Sequence, residues 1–442
     1  MLGTHDRSLL LESLRPPDGY SLDRAIGTTF SLDLLALLTV PLAFTFFDWE
    51  DDEGKPTADP LAMLQALRRH AGRIVIFCQA GQIAIPGSHK QLYAYLEESV
   101  VEVRSPSPHG IFHPKVWVLR FTADNEPVRY RFLCLTRNLT FDRCWDTILS
   151  LEGELTDRTL AFKANHPLGN FIQALPGLAL RATSDRITAD VNLIQDELRR
   201  VRFQVPEGFT DYTFWPLGLP NHNTWPFQNR IDRMLVVSPF LSAGCLARLT
   251  NQGRRHVLIS RLECLAELKP ATFKGFEEVY ALNPNADPEP TDEGALQNGK
   301  PADAGLHAKL FVAEAGWDAS VWTGSANATN PAFKDNVEFL VELIGKKSAV
   351  GVDVVLGRQC DRGTLRELLV PYDVEAVPQP PDPEVRAQEE LIDAARRDLV
   401  AITLEARVEP GAEERVFALH LGSTGETSTL HLSETLVRGW GV

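Results

Sequence analysis

Short runs of consecutive apolar residues, which alternate with helical patterns in two regions of the chain, limit the fold most strongly. In the first region a helix is predicted to begin at Pro60, and an apolar run at residues 73–78 follows it. The second region has an apolar run at residues 234–241 and another at residues 256–260, which enclose a predicted helix at residues 245–249. A continuous apolar run of this length is typical of a strand buried on both faces of a sheet. Its alternation with helices predicts an α/β fold, present twice.

The same patterns divide the chain into four segments. Residues 1–204 are predicted to form a first half, in which residues 25–44 begin with a Gly-Thr-Thr turn and continue as a buried helix. Residues 205–229, rich in Pro, Gly and Trp, are predicted to be an irregular connector. Residues 230–372 are predicted to form a second half, and residues 373–442 a linker, a helix and a small β-rich C-terminal domain.

Two segments of the chain contain the same pair of residues, a histidine and a lysine separated by one residue. They are His113-Pro114-Lys115 and His307-Ala308-Lys309, each at the start of a predicted strand. Alternation along a strand places the histidine and the lysine on one face. Each pair is followed by a hydroxyl residue, an asparagine and an acid: Thr136, Asn138 and Asp146 in the first copy, Ser325, Asn327 and Glu338 in the second. A lone His-x-Lys is usually a surface coincidence, but two copies with the same followers favour a functional site.

This pair of motifs resembles the phospholipase D superfamily, whose signature is H-x-K, then an Asp, then G-S-x-N, present twice per active site. The second copy is close to that pattern, with Glu314 at the Asp position. The first copy departs from it, because Arg120 stands at the Asp position and Leu135-Thr136 replaces Gly-Ser. These departures leave open a catalytically inactive member.

The resemblance covers residues 21–372 as two halves, with the specific motifs confined to residues 111–152 and 305–343. It implies an α/β fold with two phospholipase D-like halves, each a mixed β-sheet flanked by helices. The halves would pack as a pseudo-dimer, and a small C-terminal α+β piece would follow them.

The resemblance also assigns roles to the motif residues. Lys115 and Lys309 would neutralise the negative charge of a phosphodiester, and Asn138, Asn327, Thr136 and Ser325 would be neutral donors around the same oxygens. One histidine would be the nucleophile and the other the general acid and base. An acidic residue would orient each histidine, namely Glu338 for His307 and Asp146 for His113, with Glu152 as the second choice for His113.

Composition narrows the class of protein. A net charge of −15 argues against a surface that binds nucleic acid everywhere, although a local basic cleft is compatible with it. Arg137 and Arg143, in a cluster of arginines around the first motif, are predicted to bind substrate, with surface ion pairing as the alternative. The six cysteines form no C-x-x-C pair, so no metal site, disulfide framework or cofactor is predicted. The sequence carries no secretory signal, and its longest apolar stretch is too short for a bilayer, which predicts a cytoplasmic protein with no membrane contact.

The chemistry of the motifs does not distinguish a lipid from a nucleic acid, because both present a phosphodiester. The wording of the first motif resembles intracellular prokaryotic members that accompany restriction or anti-phage genes. That resemblance implies a metal-independent nuclease in antiviral defence, with DNA favoured over RNA, a covalent phosphohistidine, and an ATPase or helicase partner. A phospholipase or transphosphatidylase and an inactive nucleic-acid-binding subunit remain the alternatives, and a homo-oligomer stays open.

Overall fold

Two mixed β-sheets covered by helices form the framework of Met1–Pro380, which is one compact unit, while Pro381–Val442 form a second unit. The computed structural model describes residues 9–44, 60–84, 86, 91–220, 225–227, 230–283, 286, 296–297, 300–301, 304–358, 362–380, 382–402, 404–410 and 417–423.

The first sheet comes from residues before position 204. The strands described there are β1 (Ser21–Thr29), β2 (Leu32–Asp33), β3 (Ile74–Gln79), β4 (Ile83–Ala84), β5 (Val100–Val103), β6 (Val116–Thr122), β7 (Arg129–Leu135), β8 (Arg143–Trp145), β9 (Ile148–Leu155) and β10 (Val201–Phe203). The sheet has the order β10-β9-β7-β6-β1-β3-β5, in which β1, β3 and β5 are parallel and the remaining pairs are antiparallel.

The second sheet repeats this order. Its half contains β11 (Phe209–Leu217), β12 (Arg233–Val237), β13 (His256–Ser260), β14 (Phe276–Leu282), β15 (Leu296–Gln297), β16 (Lys300–Pro301), β17 (Ala304–Leu306), β18 (Leu310–Ala315), β19 (Asp318–Gly324), β20 (Glu338–Lys346) and β21 (Leu369–Pro371). The order is β11-β20-β19-β18-β12-β13-β14-β21, with β12, β13 and β14 parallel. Except for the added edge strand β21, each strand of one sheet has a counterpart in the other, which confirms the predicted pair of mixed sheets.

Helices cover the faces of both sheets. They are α1 (Leu10–Leu14), α2 (Leu34–Ala43), α3 (Pro60–Ala71), α4 (His166–Ala174), α5 (Asp185–Leu198), α6 (Ala243–Leu249), α7 (Leu262–Ala266), α8 (Asn330–Lys334), α9 (Lys347–Val350) and α10 (Val352–Leu356). Short 3₁₀ segments lie at Gln91–Ser99, Lys163–Asn165, Leu175–Leu178, Pro270–Gly275 and Leu365–Leu368. Several helices begin at a side-chain cap, because Asp33 accepts from the Leu35 amide at 2.7 Å and Ser184 from the Ile187 amide at 3.4 Å.

One apolar cluster belongs to both halves. Phe132 of β7 and Phe171 of α4 pack with Phe214 of β11 and Phe339 of β20, and each of these rings is at most 1% exposed. The ring centroids of Phe171 and Phe339 are 4.8 Å apart. Because the two sheets share this core, the halves form one packed unit rather than two separate domains joined by a linker.

Two predictions of secondary structure are wrong. Residues 25–29, predicted as a turn leading into a helix, complete strand β1, and the helix starts at Leu34. Gly27 occurs within this strand because a Cβ there would lie 2.7 Å from Ile76 and 3.1 Å from the Trp117 ring. Residues 205–229, predicted as an irregular connector, contain β11, which pairs with β20 over the length of the strand.

The C-terminal unit consists of one helix and one hairpin among its described residues. Helix α11 (Pro383–Ala401) starts at Asp382, whose side chain accepts from the Glu384 amide, and has no buried residue. Strands β22 (Leu404–Pro410) and β23 (Phe417–Ser423) pair as an antiparallel hairpin. Across the described stretches of the chain, none of the helices has both the length and the apolar character needed to cross a bilayer.

Candidate active site

The two His-x-Lys segments lie at equivalent places in the two sheets. His113 and Lys115 directly precede β6, and His307 and Lys309 directly precede β18. Both lysines are at most 1% exposed and His113 is 8% exposed, so these ionisable groups are held out of bulk water. Burial of such groups is costly unless they are paired, which marks the position as a site rather than a surface coincidence.

The two histidines are held by carboxylates from the opposite half. His113 Nδ1 lies 2.8 Å from Glu338 Oε2, and His307 Nδ1 lies 2.9 Å from Asp146 Oδ1. The predicted pairing of Glu338 with His307 and of Asp146 with His113 is therefore wrong. Glu152, the second choice for His113, instead forms an ion pair with Arg131.

Backbone pairing between the halves explains this exchange. The amide of His113 donates to the carbonyl of Val337 at 2.9 Å, and that of His307 donates to the carbonyl of Trp145 at 2.9 Å. Strand β17, which leads into His307, pairs in parallel with β8, which leads into Asp146. Val337 and Trp145 directly precede Glu338 and Asp146. Each histidine therefore lies beside the acid of the other half, and the imidazole and the carboxylate meet where the two halves contact each other.

The hydroxyl residues support the carboxylates. Thr136 Oγ1 donates to Asp146 Oδ1 at 3.0 Å and accepts from the Thr147 amide at 2.8 Å. Ser325 repeats this arrangement, because its hydroxyl donates to Glu338 Oε2 and accepts from the Phe339 amide at 2.9 Å. The hydroxyl protons of Thr136 and Ser325 are thus committed to the carboxylates, whereas the sequence predicted that they would serve phosphate oxygens.

The carboxylates differ in their second oxygen. Glu338 Oε1 accepts from Asn336 Nδ2 at 3.2 Å. Asp146 Oδ2 is buried and has no hydrogen-bond partner among the described residues. Glu338 is therefore held at both oxygens, and Asp146 at only one.

The lysines are fixed by backbone carbonyls. Lys115 Nζ donates to the His113 carbonyl at 2.8 Å, and Lys309 Nζ donates to the His307 carbonyl at 2.6 Å. Lys309 also reaches the Thr136 carbonyl of the opposite half at 3.4 Å. Each ammonium group, with three donors, retains donor capacity for an anion beside the imidazole.

The two motif asparagines have unused polar groups. The Oδ1 atoms of Asn138 and Asn327 are buried without a hydrogen-bond partner among the described residues. The backbone beside each asparagine is anchored, because Leu139 N donates to Thr29 Oγ1 at 3.0 Å and Ala328 N to Ser238 Oγ at 2.9 Å. A buried amide oxygen without a partner is costly to the fold, and the same cost is present at the equivalent asparagine of each half.

Burial shifts the ionisation of all four motif side chains. It lowers the pKa of His113 to about 4, against the opposing effect of Glu338. It lowers the pKa of His307 to about 4 and that of Lys309 to about 7, and it lowers the pKa of Lys115 well below its ordinary value. Both imidazoles are therefore neutral at pH 7.

Other motif positions have structural contacts away from the histidines. Arg120 forms ion pairs with Glu197 at 2.8 Å and Asp23 at 2.7 Å. Glu314 pairs with Lys347 at 2.8 Å and accepts from the Val352 amide. Arg120 and Glu314, which stand at the Asp position of the two motifs, thus bind different neighbouring segments. None of these contacts involves a motif histidine.

Of the two arginines predicted to bind substrate, the structure describes the side-chain contacts of Arg137. The Arg137 guanidinium donates to the carbonyls of Thr140 at 2.9 Å and Asp142 at 3.2 Å, so it fixes its own loop. Arg143 lies in β8, but its side chain is outside the described residues.

Gly324, the first residue of the Gly-Ser pair, has a conformation that other residues rarely adopt. Its φ is +148°, and a Cβ there would lie 2.1 Å from the Phe339 carbonyl oxygen. A glycine is required at this close approach of β19 to β20. Its first-half counterpart, Leu135, is an ordinary strand residue whose amide donates to the Lys115 carbonyl.

Three residues of the site were not predicted from the sequence. Phe30 packs edge-on against His113, with ring centroids 5.3 Å apart. Gln79 Oε1 accepts from the Phe112 amide at 2.6 Å, and Arg261 Nε donates to the Leu306 carbonyl at 2.6 Å. Each of these residues lies at or just after the carboxyl end of a strand. The sequence carries no other indication that they belong to the site.

Among the described residues, no group of three or more His, Cys, Asp or Glu side chains is arranged to hold a metal ion.

No family model and no curated protein matches the chain. Solved structures with a similar chain path include two mutants of yeast tyrosyl-DNA phosphodiesterase. Each has a TM-score of 0.47 and 12% identity over 84% of this chain, covering 94% and 96% of those chains. Polyphosphate kinase from Porphyromonas gingivalis is similar with a TM-score of 0.36 and 12% identity, over 88% of this chain and 51% of that chain.

Proposed function

We propose that this chain is a metal-independent phosphodiesterase of the phospholipase D type that cleaves nucleic acid through a phosphohistidine. The observation that carries the proposal is the crossed pair of imidazoles, each held at Nδ1 by a carboxylate of the other half and each beside a buried lysine.

The hydrogen bonds select the histidine tautomer that the reaction needs. An ionised carboxylate only accepts, so Nδ1 of His113 and of His307 carries the hydrogen. In a neutral imidazole this leaves the lone pair on Nε2, which is the nucleophilic atom. Both histidines are thus prepared for the same role, and the bound substrate decides which one attacks.

Cleavage would proceed in two displacements at phosphorus. Nε2 of one histidine attacks the phosphorus, and the bond to the leaving oxygen breaks while the second histidine, as an imidazolium, gives its proton to that oxygen. The second histidine, now neutral, takes a proton from water, and the resulting hydroxide displaces the first histidine from phosphorus. The products are one alcohol and one phosphomonoester, and both histidines return to their starting states.

The buried lysines and asparagines would hold the phosphodiester. Its negative charge would lie beside Lys115 and Lys309 and would raise the pKa of these lysines and of both histidines from the values that burial lowers. Binding would therefore bring protons into the site, including the one that the general acid donates. The amide groups of Asn138 and Asn327 would provide further donors to the phosphate oxygens.

Nucleic acid is the proposed substrate class, with DNA favoured over RNA, because the first motif resembles intracellular prokaryotic members linked to restriction and anti-phage genes. The same resemblance supports a role in defence and an ATPase or helicase partner. Phage challenge of cells that carry the wild-type or His113→Ala gene tests the defence role, which predicts protection by the wild type alone.

Cleavage of labelled single- and double-stranded DNA and RNA in excess EDTA tests the activity. We expect cleavage by the wild type and its loss in His113→Ala and in His307→Ala. His109→Ala is the matched control, because that histidine is exposed and lies four positions before His113. A phosphorylated histidine in acid-sensitive, base-stable linkage would identify the intermediate.

Measurements of phospholipid turnover and of nucleic-acid binding with the same variants separate the alternatives. Turnover of phospholipid vesicles without cleavage of any nucleic acid would overturn the proposed substrate class. Binding of nucleic acid that persists in both histidine variants, with no turnover by the wild type, would instead identify an inactive binding subunit.

A further inference from the structure

The two halves differ at one pair of equivalent positions beside the motif histidines. Thr29 and Ser238 occupy equivalent places, because each accepts the amide hydrogen of the residue after a motif asparagine. Thr29 pairs with Cys78, and the Ser238 amide donates to the Ile259 carbonyl, which places Ser238 opposite Ser260. The residues that follow, Gln79 and Arg261, are therefore counterparts.

Gln79 and Arg261 contact the same backbone position in opposite ways. Gln79 accepts from the amide of the residue before His113, and Arg261 donates to the carbonyl of the residue before His307. The second half therefore has a fixed positive charge where the first has a neutral amide. Arg261 also acts on Lys309, whose pKa is lowered chiefly by burial and further by this neighbouring charge.

Arg261 has no acidic partner within the stretches of chain that the structure describes. Several other half-buried arginines are paired with carboxylates, such as Arg120 with Glu197 at 2.8 Å and Arg366 with Glu278 at 2.9 Å. Among the described residues, the Arg261 side chain makes one hydrogen bond, from Nε to the Leu306 carbonyl. The two terminal nitrogens of the planar guanidinium can donate parallel hydrogen bonds to two oxygens of a phosphate.

An exposed aromatic ring lies against this arginine. The Arg261 guanidinium lies 5.4 Å from the centroid of the Phe240 ring, and Phe240 is 45% exposed. In the first half the counterpart of Phe240 is Ser31, because the side chains of Thr29 and Ser238 donate to the carbonyls of Ser31 and Phe240 respectively. Beside His113 the cation over a ring is the motif lysine itself, because Lys115 Nζ lies 5.8 Å from the Phe30 centroid. An arginine next to an exposed ring is therefore a feature of the His307 side among the described residues.

A phosphate and a flat base are the two groups that such a pair recognises in a polynucleotide. A guanidinium binds phosphate oxygens through parallel hydrogen bonds, and an aromatic side chain stacks on any base. Both elements lie at the carboxyl ends of β12 and β13, the edge at which His307 enters β18. A nucleotide next to the reacting phosphodiester would meet them together.

On the basis of the proposed function, we infer that Arg261 and Phe240 form a subsite for the nucleotide that flanks the scissile phosphodiester on the His307 side. Without this subsite the near-symmetric motifs would accept a strand in either direction. With it, the strand lies across the site in one direction, and the same histidine faces the leaving oxygen in every turnover.

Steady-state cleavage of the nucleic acid that the wild type prefers tests this inference. We expect Arg261→Gln, which copies the first half, to raise KM about tenfold with little change in kcat and to reduce the salt dependence of binding by about one ion. Arg254→Gln is the matched control, because Arg254 is exposed and precedes β13, at the opposite end from Arg261. Arg261→Lys should recover some of the loss.

Two further measurements distinguish a subsite from a structural role. Phe240→Ser should raise KM roughly five- to hundredfold for a normal strand, but not for one with an abasic unit at the flanking position. Bis(p-nitrophenyl) phosphate has no flanking nucleotide, so the loss of kcat/KM in Arg261→Gln should be much smaller on this diester than on nucleic acid. Mapping of the phosphohistidine should find one histidine labelled in the wild type and both in Arg261→Gln.

The outcomes separate this inference from the proposed function. If the wild type cleaves neither the nucleic acid nor the small diester, the proposed function fails. If the wild type cleaves nucleic acid and Arg261→Gln has an unchanged KM and a single labelled histidine, the subsite is wrong although the activity stands. An equal loss of activity by Arg261→Gln on the small diester would also overturn the subsite, because Arg261 would then maintain the structure of the whole active site rather than bind a flanking nucleotide.

Discussion

His113 Nδ1 lies 2.8 Å from Glu338 Oε2, and the two residues are separated by 225 positions of the chain and belong to different halves. The reciprocal contact joins His307 to Asp146. Each histidine is thus oriented by a residue that its own half does not contain. It follows that neither half alone contains a complete histidine–carboxylate pair, and that the proposed active site depends on the pairing of the halves.

Replacement of the orienting carboxylates tests the crossed arrangement. Glu338→Gln should release the Nδ1–H tautomer of His113 while leaving His307 unchanged, and Asp146→Asn should do the reverse. Long-range proton–nitrogen NMR correlations of the imidazole rings report the tautomer at each site. We expect kcat to fall roughly 10²- to 10⁴-fold in both variants, because a wrongly oriented imidazole has its lone pair on the wrong nitrogen.

Glu152→Gln is the control for these carboxylate variants, since Glu152 pairs with Arg131 outside the site. Its kcat should equal that of the wild type. If Glu338→Gln instead changed the NMR signals of His307, the halves would be paired within themselves and the crossed arrangement would be wrong.

The lowered pKa values predict an acidic optimum for kcat/KM, which reports the free enzyme. The proposed reaction needs one neutral and one protonated histidine, and burial lowers the pKa of both to about 4. The singly protonated form therefore falls about tenfold per pH unit above this value. Above pH 7 the fall should become steeper, because Lys309, with a pKa of about 7, also loses its proton.

The Lys309→Arg variant and the pH profile of kcat test this explanation of the pH dependence. Lys309→Arg should abolish the steeper fall above pH 7, because a guanidinium keeps its charge. The profile of kcat should extend to higher pH than that of kcat/KM, since the bound phosphodiester raises the histidine pKa. A kcat/KM that rises continuously between pH 4 and 7 would contradict the assignment of a protonated histidine.

The residue types that meet at the candidate site could be predicted from the sequence because the signals are local. A histidine and a lysine two positions apart, with Asn327 close behind them in one copy and Asn138 in the other, can be recognised without knowing the fold. The strand at residues 74–79 and the helix from Pro60 were predicted for the same reason, since their apolar patterns are complete within a few residues.

The crossed contacts could not be predicted, because they depend on which segments of the two sheets run side by side. Asp146 follows the first motif and Glu338 the second, so chain order favours pairing within a half. The opposite result comes from backbone bonds such as that of the His113 amide to Val337, for which neither residue carries a local signal. Arg261 was missed in the same way, because only the register of β13 against β12 brings it to the site.

The burial of Lys309 should reduce stability. In the folded state its pKa is about 7, below the ordinary 10.5, so the unfolded chain binds more protons between these values. The free energy of unfolding should therefore rise with pH from about 7 to about 10.5 on account of this residue. Lys309→Met should raise that free energy at pH 7 by on the order of 1–3 kcal/mol and should abolish cleavage.

Urea denaturation at pH 7 and at pH 9.5 measures this effect, with Lys346→Met as the matched control. The Lys346 side chain is 65% exposed and pairs with Asp318, so its loss should change stability by less than about 1 kcal/mol. Destabilisation by Lys309→Met at pH 7 would mean that the bonds of the ammonium to the His307 and Thr136 carbonyls outweigh the cost of its burial.

Phe339 should be essential to the stability of both halves. It belongs to β20 of the second sheet, is fully buried, and packs against Phe132 and Phe171 of the first half. Phe339→Ala should reduce the free energy of unfolding by about 3–5 kcal/mol, because it removes a large ring and leaves a cavity at the shared core. Trp317→Ala, at a side chain that is 88% exposed, should have an effect within about 0.5 kcal/mol.

Native-state hydrogen exchange shows where that loss falls. If the halves unfold as one cooperative body, Phe339→Ala should reduce the protection of amides in β1, β3 and β6 by as much as in β12, β13 and β18. Because the orienting carboxylates reach across the same boundary, the variant should also lose activity in proportion to its loss of folded protein. Reduced protection confined to the second sheet would show that each half folds by itself and that the crossed hydrogen bonds form only after folding.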